Sequence, residues 1–73
     1  DVRITVSTGR RQDVTVAVYD VLGRRVARLH DGAVPPTQPV RLQLDDRDLS
    51  SGAYFIRARG EERTETERIT VVR

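Results

Sequence analysis

Ser50, Ser51, His30 and several aspartates are the side chains of this chain whose types could do acid, base or nucleophilic work. They are the parts of a serine hydrolase without its arrangement. No Gly-x-Ser-x-Gly elbow is present, and His30 and Asp31 are neighbours whose side chains diverge if both lie in a strand. A triad is defined by geometry, so His30 reads as a surface histidine at a strand end. Asp45-Asp46-x-Asp48 is the one acidic cluster, and loop carboxylates are what calcium prefers. The glycine and distal glutamate of an EF-hand are both missing, and the ligand count falls short of the six to eight that calcium takes. Asp45 or Asp48 is instead expected to accept backbone N–H bonds and shape the loop before Ser50-Ser51-Gly52. Cysteine is absent, which removes disulfides, thiolate metal sites and cysteine nucleophiles. The chain is therefore read as no enzyme, with no catalytic, metal or cofactor-binding residue.

The elements that position these residues must come from a short chain. Seventy-three residues make at most one small domain with a thin core. With 37% hydrophobic and 33% charged residues and three aromatics, Tyr19, Tyr54 and Phe55, the composition is polar but foldable. No apolar run approaches the roughly 18 residues of a membrane helix, and no signal-peptide pattern is present. The chain begins Asp1-Val2 and contains no Met, which reads as a piece excised from a larger protein. Thirteen basic residues, all Arg, stand against eleven acidic ones. Because Asp and Glu are interspersed among the Arg and aromatics are few, no nucleic-acid partner is expected.

Alternation of period two dominates the pattern. Val2, Ile4 and Val6 alternate with polar residues, as do Val14, Val16 and Val18, which predicts two strands, with Thr8-Gly9-Arg10-Arg11-Gln12 as a hairpin connection. Tyr19 to Arg24 reads as a turn, with Asp20 bonding the backbone two residues on and Gly23 closing it in the left-handed region. Arg25 to His30 is expected to be a short or bulged strand, since Val26 and Leu29 sit three apart, with a single helical turn as the alternative. Asp31 to Pro39 holds all three prolines and reads as a crossing loop.

Val40, Leu42 and Leu44 resume the alternation, and Asp45 to Ser51 forms a second loop anchored by Leu49. Tyr54, Ile56 and Ala58 then point inward, while Phe55, Arg57 and Arg59 point outward; the arginines are expected to be scattered and solvated, with a mixed aromatic and guanidinium patch as the alternative. A final strand ends at Ile69 to Arg73. Glu65 and Glu67 share its inward parity, so the strand must be exposed there or shifted by a bulge. The expected core is these inward positions with Leu22, Val26 and Leu49. The fold expected is all-β, a small antiparallel sandwich of six to seven short strands.

Three segments taken together carry a resemblance. Val16-Ala17-Val18-Tyr19-Asp20-Val21-Leu22-Gly23-Arg24, Leu49-Ser50-Ser51-Gly52-Ala53-Tyr54-Phe55-Ile56 and Arg68-Ile69-Thr70-Val71-Val72-Arg73 resemble the type A C-terminal sorting domain of the type IX secretion system. They are also similar to the immunoglobulin-like domain of flagellar hook-capping proteins. The resemblance spans nearly the whole chain, residues 1–73, and implies a single immunoglobulin-like sorting domain at the C-terminal end of a larger secreted protein.

That protein would pass through periplasm and outer membrane to the cell surface or the medium. The implied partners are the outer-membrane translocon, a sortase-like protease and an N-terminal cargo domain. Tyr19, Asp20 and Gly23 match the first motif, Leu49, Gly52 and Tyr54 the central one, and Arg68 and Arg73 the terminal one, as translocon-recognition positions. Ser50 stands where the sorting family often has Pro, a form also seen in the hook-capping relatives. The alternative function is a structural or adhesive module, hook-cap-like or carbohydrate-binding.

Overall fold

A computed structural model describes residues 2–45, 47 and 49–72. Among these, six antiparallel strands follow in chain order: β1 Val2–Val6, β2 Gln12–Tyr19, β3 Arg25–Val34, β4 Val40–Leu44, β5 Gly52–Arg59 and β6 Thr64–Val71. They form a four-stranded sheet ordered β3-β2-β5-β6 and a two-stranded sheet of β1 and β4. The alternating runs account for there being two facing sheets, because each strand has one apolar face and two such faces must cover each other. Val14, Val16 and Val18 of β2, with Tyr54 and Ile56 of β5, supply the core from the large sheet. Leu44 joins them from the small one, and Val2, Ile4, Val6, Val40 and Leu42, partly buried, pack against this core. Burying one such aliphatic side chain contributes about 1.5–3 kcal/mol.

Strand pairing corrects the expected hairpin between the first two strands. β1 pairs with β4, Val2 opposite Leu44 and Val6 opposite Val40, and the segment after β1 crosses to the other sheet. Alternation reports which face is apolar, and it does not say whether two strands lie side by side or face to face. Thr8 helps hold the crossing, its hydroxyl donating to the Val34 carbonyl at 3.4 Å.

The third strand is longer than expected. β3 runs ten residues to Val34, so the crossing loop begins only at Pro35, where the ladder loses its donors. It carries the expected irregularity: its register against β2 shifts between Val16 and Ala17 and again between Val18 and Tyr19. The 3-residue spacing of Val26 and Leu29 is the trace of this bulging in the sequence.

Glu65 and Glu67 settle which of the two expected outcomes holds. β6 pairs with β5 without a shift, Glu67 opposite Ile56 and Glu65 opposite Ala58, and both carboxylates are exposed. The small sheet does not reach over this part of the large one, so the inward parity leads to water.

Candidate recognition surface

The Asp20 turn is built by its own side chain. Asp20 Oδ1 accepts the backbone N–H of Leu22 and of Arg24, both at 2.9 Å, and Arg24 Nε donates to Oδ2 at 2.8 Å. Gly23 N–H closes the turn onto the Asp20 carbonyl at 3.0 Å, with φ of 82° in the left-handed region. Asp20 N–H then reaches the Arg24 carbonyl. This is a hairpin loop of three residues whose last position needs positive φ, and glycine meets it without steric cost.

The Arg24 backbone N–H lowers the pKa of Asp20 most; desolvation opposes it, and the Arg24 guanidinium and the Leu22 N–H add smaller lowering contributions. Asp45 is held lower still, at about 2, by the Arg47 side chain and then its backbone N–H. Arg47 N–H donates to Asp45 Oδ1 at 3.1 Å, so Asp45 shapes its loop as expected. Asp46 and Asp48, the rest of the acidic cluster, lie outside the described residues. Among the described residues no group of three or more acidic, His or Cys side chains is placed to hold a metal.

Lowered folded-state values mean that stability from both aspartates is present above their ordinary 3.8 and is lost as pH falls through the folded values. The melting temperature is therefore expected to drop as pH falls below about 3.8, and carboxyl titration by NMR should place the Asp45 midpoint near 2. An Asp20→Asn variant should show a smaller acid-induced drop than the parent.

Tyr54 forms the second fixed corner. Its ring is buried in the core and its hydroxyl donates to the Ser50 carbonyl at 2.8 Å, which ties the loop after β4 to β5. Leu49 is buried beneath that loop, and Gly52 opens β5 with φ of 154°.

These two corners meet. Asp20, Arg24, Leu49, Ser50 and Tyr54 line one shallow depression of about 370 Å³. The ladder brings the rest to the same end: Tyr19 lies opposite Phe55, Phe55 opposite Arg68, and Gly52 opposite Val71. Of the eight residues singled out by resemblance, Tyr19, Asp20, Gly23, Leu49, Gly52, Tyr54 and Arg68 thus gather at one end of the sandwich. Arg73 lies outside the described residues.

Residues that the sequence reading placed elsewhere, or did not assign, share this end. Leu22 and Val26 are 74% and 40% exposed, which overturns their expected place in the core. With Val21 and Val72 they are the exposed large apolar side chains among the described residues, and all four sit here. Turn geometry explains the correction for Leu22: the two central residues of a turn closed by Gly23 onto Asp20 project away from the sheet. Exposed apolar side chains gathered in one place mark an interaction surface.

The outer face of the large sheet also differs from the expectation of scattered solvated arginines. Arg57 lies over the Tyr19 ring, 4.4 Å from its centroid, and donates to the Tyr19 hydroxyl at 2.7 Å. Arg25, Tyr19, Phe55 and Arg68 form one row across four strands. His30 engages the Gly32 carbonyl through Nε2 at 3.1 Å. Ser50 contributes its carbonyl to Tyr54.

The fold is that of a small all-β module, one end of which carries exposed apolar and basic side chains. A family model described as the secretion system C-terminal sorting domain matches residues 1–72, and the chain belongs to that family. The family supplies the C-terminal sorting signal of type IX secretion, which directs proteins through the outer membrane to the cell surface or the extracellular space. No match is found among curated proteins or among solved structures. Among the described residues, no helix is long and apolar enough to cross a membrane.

Proposed function

We propose that this domain is a non-catalytic address read by the type IX outer-membrane translocon, and that the end carrying the Asp20 turn, the Leu49 to Tyr54 corner and the close of β6 is the surface read. The observation that carries this is the convergence of three sequence-distant segments with Val21, Leu22, Val26 and Val72 exposed at the same end. A rigid scaffold that presents apolar side chains on locked turns suits recognition by a partner, and it needs neither pocket nor nucleophile. The sortase-like protease and an N-terminal cargo domain complete the set of partners in this reading.

Export tests it. Fused behind a periplasmically exported reporter in a host with a type IX system, residues 1–73 should carry the reporter to the surface or medium. Val21→Asp combined with Leu22→Asp should cut that transport by at least about tenfold. Because both side chains are exposed, the variant's stability should change by no more than about 0.5 kcal/mol per site. Arg68→Ala tests the third segment in the same way. A folded parent segment that leaves the reporter in the periplasm overturns the reading and puts a structural or adhesive module in its place.

A further inference from the structure

Among the described residues β6 has one hydrogen-bonded neighbour, β5, so its other edge presents an unpaired row of backbone donors and acceptors. β1 likewise has a single neighbour, β4. Between these two strands the sandwich stays open as a groove of about 280 Å³, with Ile4, Val6, Ile56 and Ala58 among its apolar walls and Glu65 and Glu67 on its rim. Neither carboxylate has a hydrogen-bond or ion-pair partner among the described residues.

The two glutamates select what can pair there. An apolar strand laid on this edge would strip water from both carboxylates and leave them unpaired, which costs several kcal/mol. A second copy of β6 fails for a related reason. Antiparallel self-pairing centred on Glu67 sets Glu67 against itself, and centring on Arg68 sets Arg68 against itself. A strand with basic residues opposite Glu65 and Glu67 meets neither obstacle, since cross-strand pairs of opposite charge stabilise a ladder.

We infer that the free edge of β6 takes an added antiparallel strand from a partner protein, whose residues read apolar, any, apolar, acidic, basic, any, basic from its N-terminus. In that register the apolar positions lie against Val71 and Ile69 and extend the core over the groove. The acidic position meets Arg68, and the basic positions meet Glu67 and Glu65. Backbone bonds supply affinity and the charged pairs supply selection. The inference goes beyond the export reading and does not depend on it, because the isolated domain and a synthetic strand suffice to test it.

The probe is the heptapeptide Val-Thr-Ile-Glu-Lys-Thr-Lys, with binding read by fluorescence anisotropy and pairing by amide hydrogen exchange. The peptide should bind the domain and protect alternate amides of β6. Glu65→Lys with Glu67→Lys should weaken binding by at least about tenfold, and a peptide with both lysines changed to glutamate should restore it. Glu65→Gln with Glu67→Gln, which adds no positive charge, should also weaken binding while circular dichroism stays unchanged. Absence of binding by the parent domain, unaltered binding by the glutamine variant, or protection outside β6 overturns the inference. So does equal binding of the reversed-order peptide.

Discussion

Replacing Ile56 with alanine is expected to destabilise the domain by about 2–5 kcal/mol. Ile56 is 6% exposed in the core cluster, opposite Val18 on one side and Glu67 on the other. The loss combines transfer of the removed methylenes with a cavity that the surrounding strands fill only in part. A domain of this size has a net stability of only a few kcal/mol, so the variant should be close to unfolded at room temperature. Urea denaturation of parent and variant, compared by midpoint at constant slope, measures the difference. Leu22→Ala is the matched control and should fall within about 0.5 kcal/mol of the parent, since its side chain faces water. Equal costs at the two positions would contradict the inward and outward assignments together.

Gly52→Val should cost about 1–3 kcal/mol, from the backbone alone. Its φ of 154° lies in a region that side-chain-bearing residues rarely adopt, yet an added Cβ would meet no atom within 4 Å. Strain without crowding predicts that Gly52→Ala costs nearly as much as Gly52→Val. Crowding would instead make the valine much worse. Gly9→Ala provides the contrast: its φ is not positive, the site is open, and the change should be neutral or slightly stabilising through the unfolded chain. Because Gly52 pairs with Val71 and sits two residues before Tyr54, its loss should also weaken the Tyr54 bond to the Ser50 carbonyl. Hydrogen exchange across β5 and β6 would report that local opening.

Much of this protein was legible from local chemistry. Alternation at Val2 to Val6, Val14 to Val18, Val40 to Leu44 and Tyr54 to Ala58 located four strands and their buried faces, because side-chain direction in a strand depends only on parity. The Asp20 turn was readable with its mechanism, since an aspartate and a glycine three residues apart carry their own hydrogen bonds and backbone freedom. The prolines marked where pairing must stop, though β3 continues to Val34 before them, because Asp31 to Ala33 hold no proline to interrupt it. The resemblance in three segments also reached the family that the comparison over residues 1–72 establishes.

What the linear pattern leaves open is which apolar faces meet. Val2 to Val6 and Val14 to Val18 look alike in sequence, yet one strand pairs with β4 while the other sits at the centre of the large sheet. Val26 is as apolar as Val34, and only the tertiary arrangement exposes the first and buries the second. Hydrophobic transfer is non-directional, so it requires that apolar surface be covered without naming the partner that covers it. For the same reason, the two-stranded sheet alone decides that Glu65 and Glu67 face water beside an open groove while Ile69 and Val71, of identical parity, extend toward the core. Parity along each strand was a property of the sequence; the end at which three distant segments meet, and the edge left unpaired, came from how few strands there are to close the sandwich.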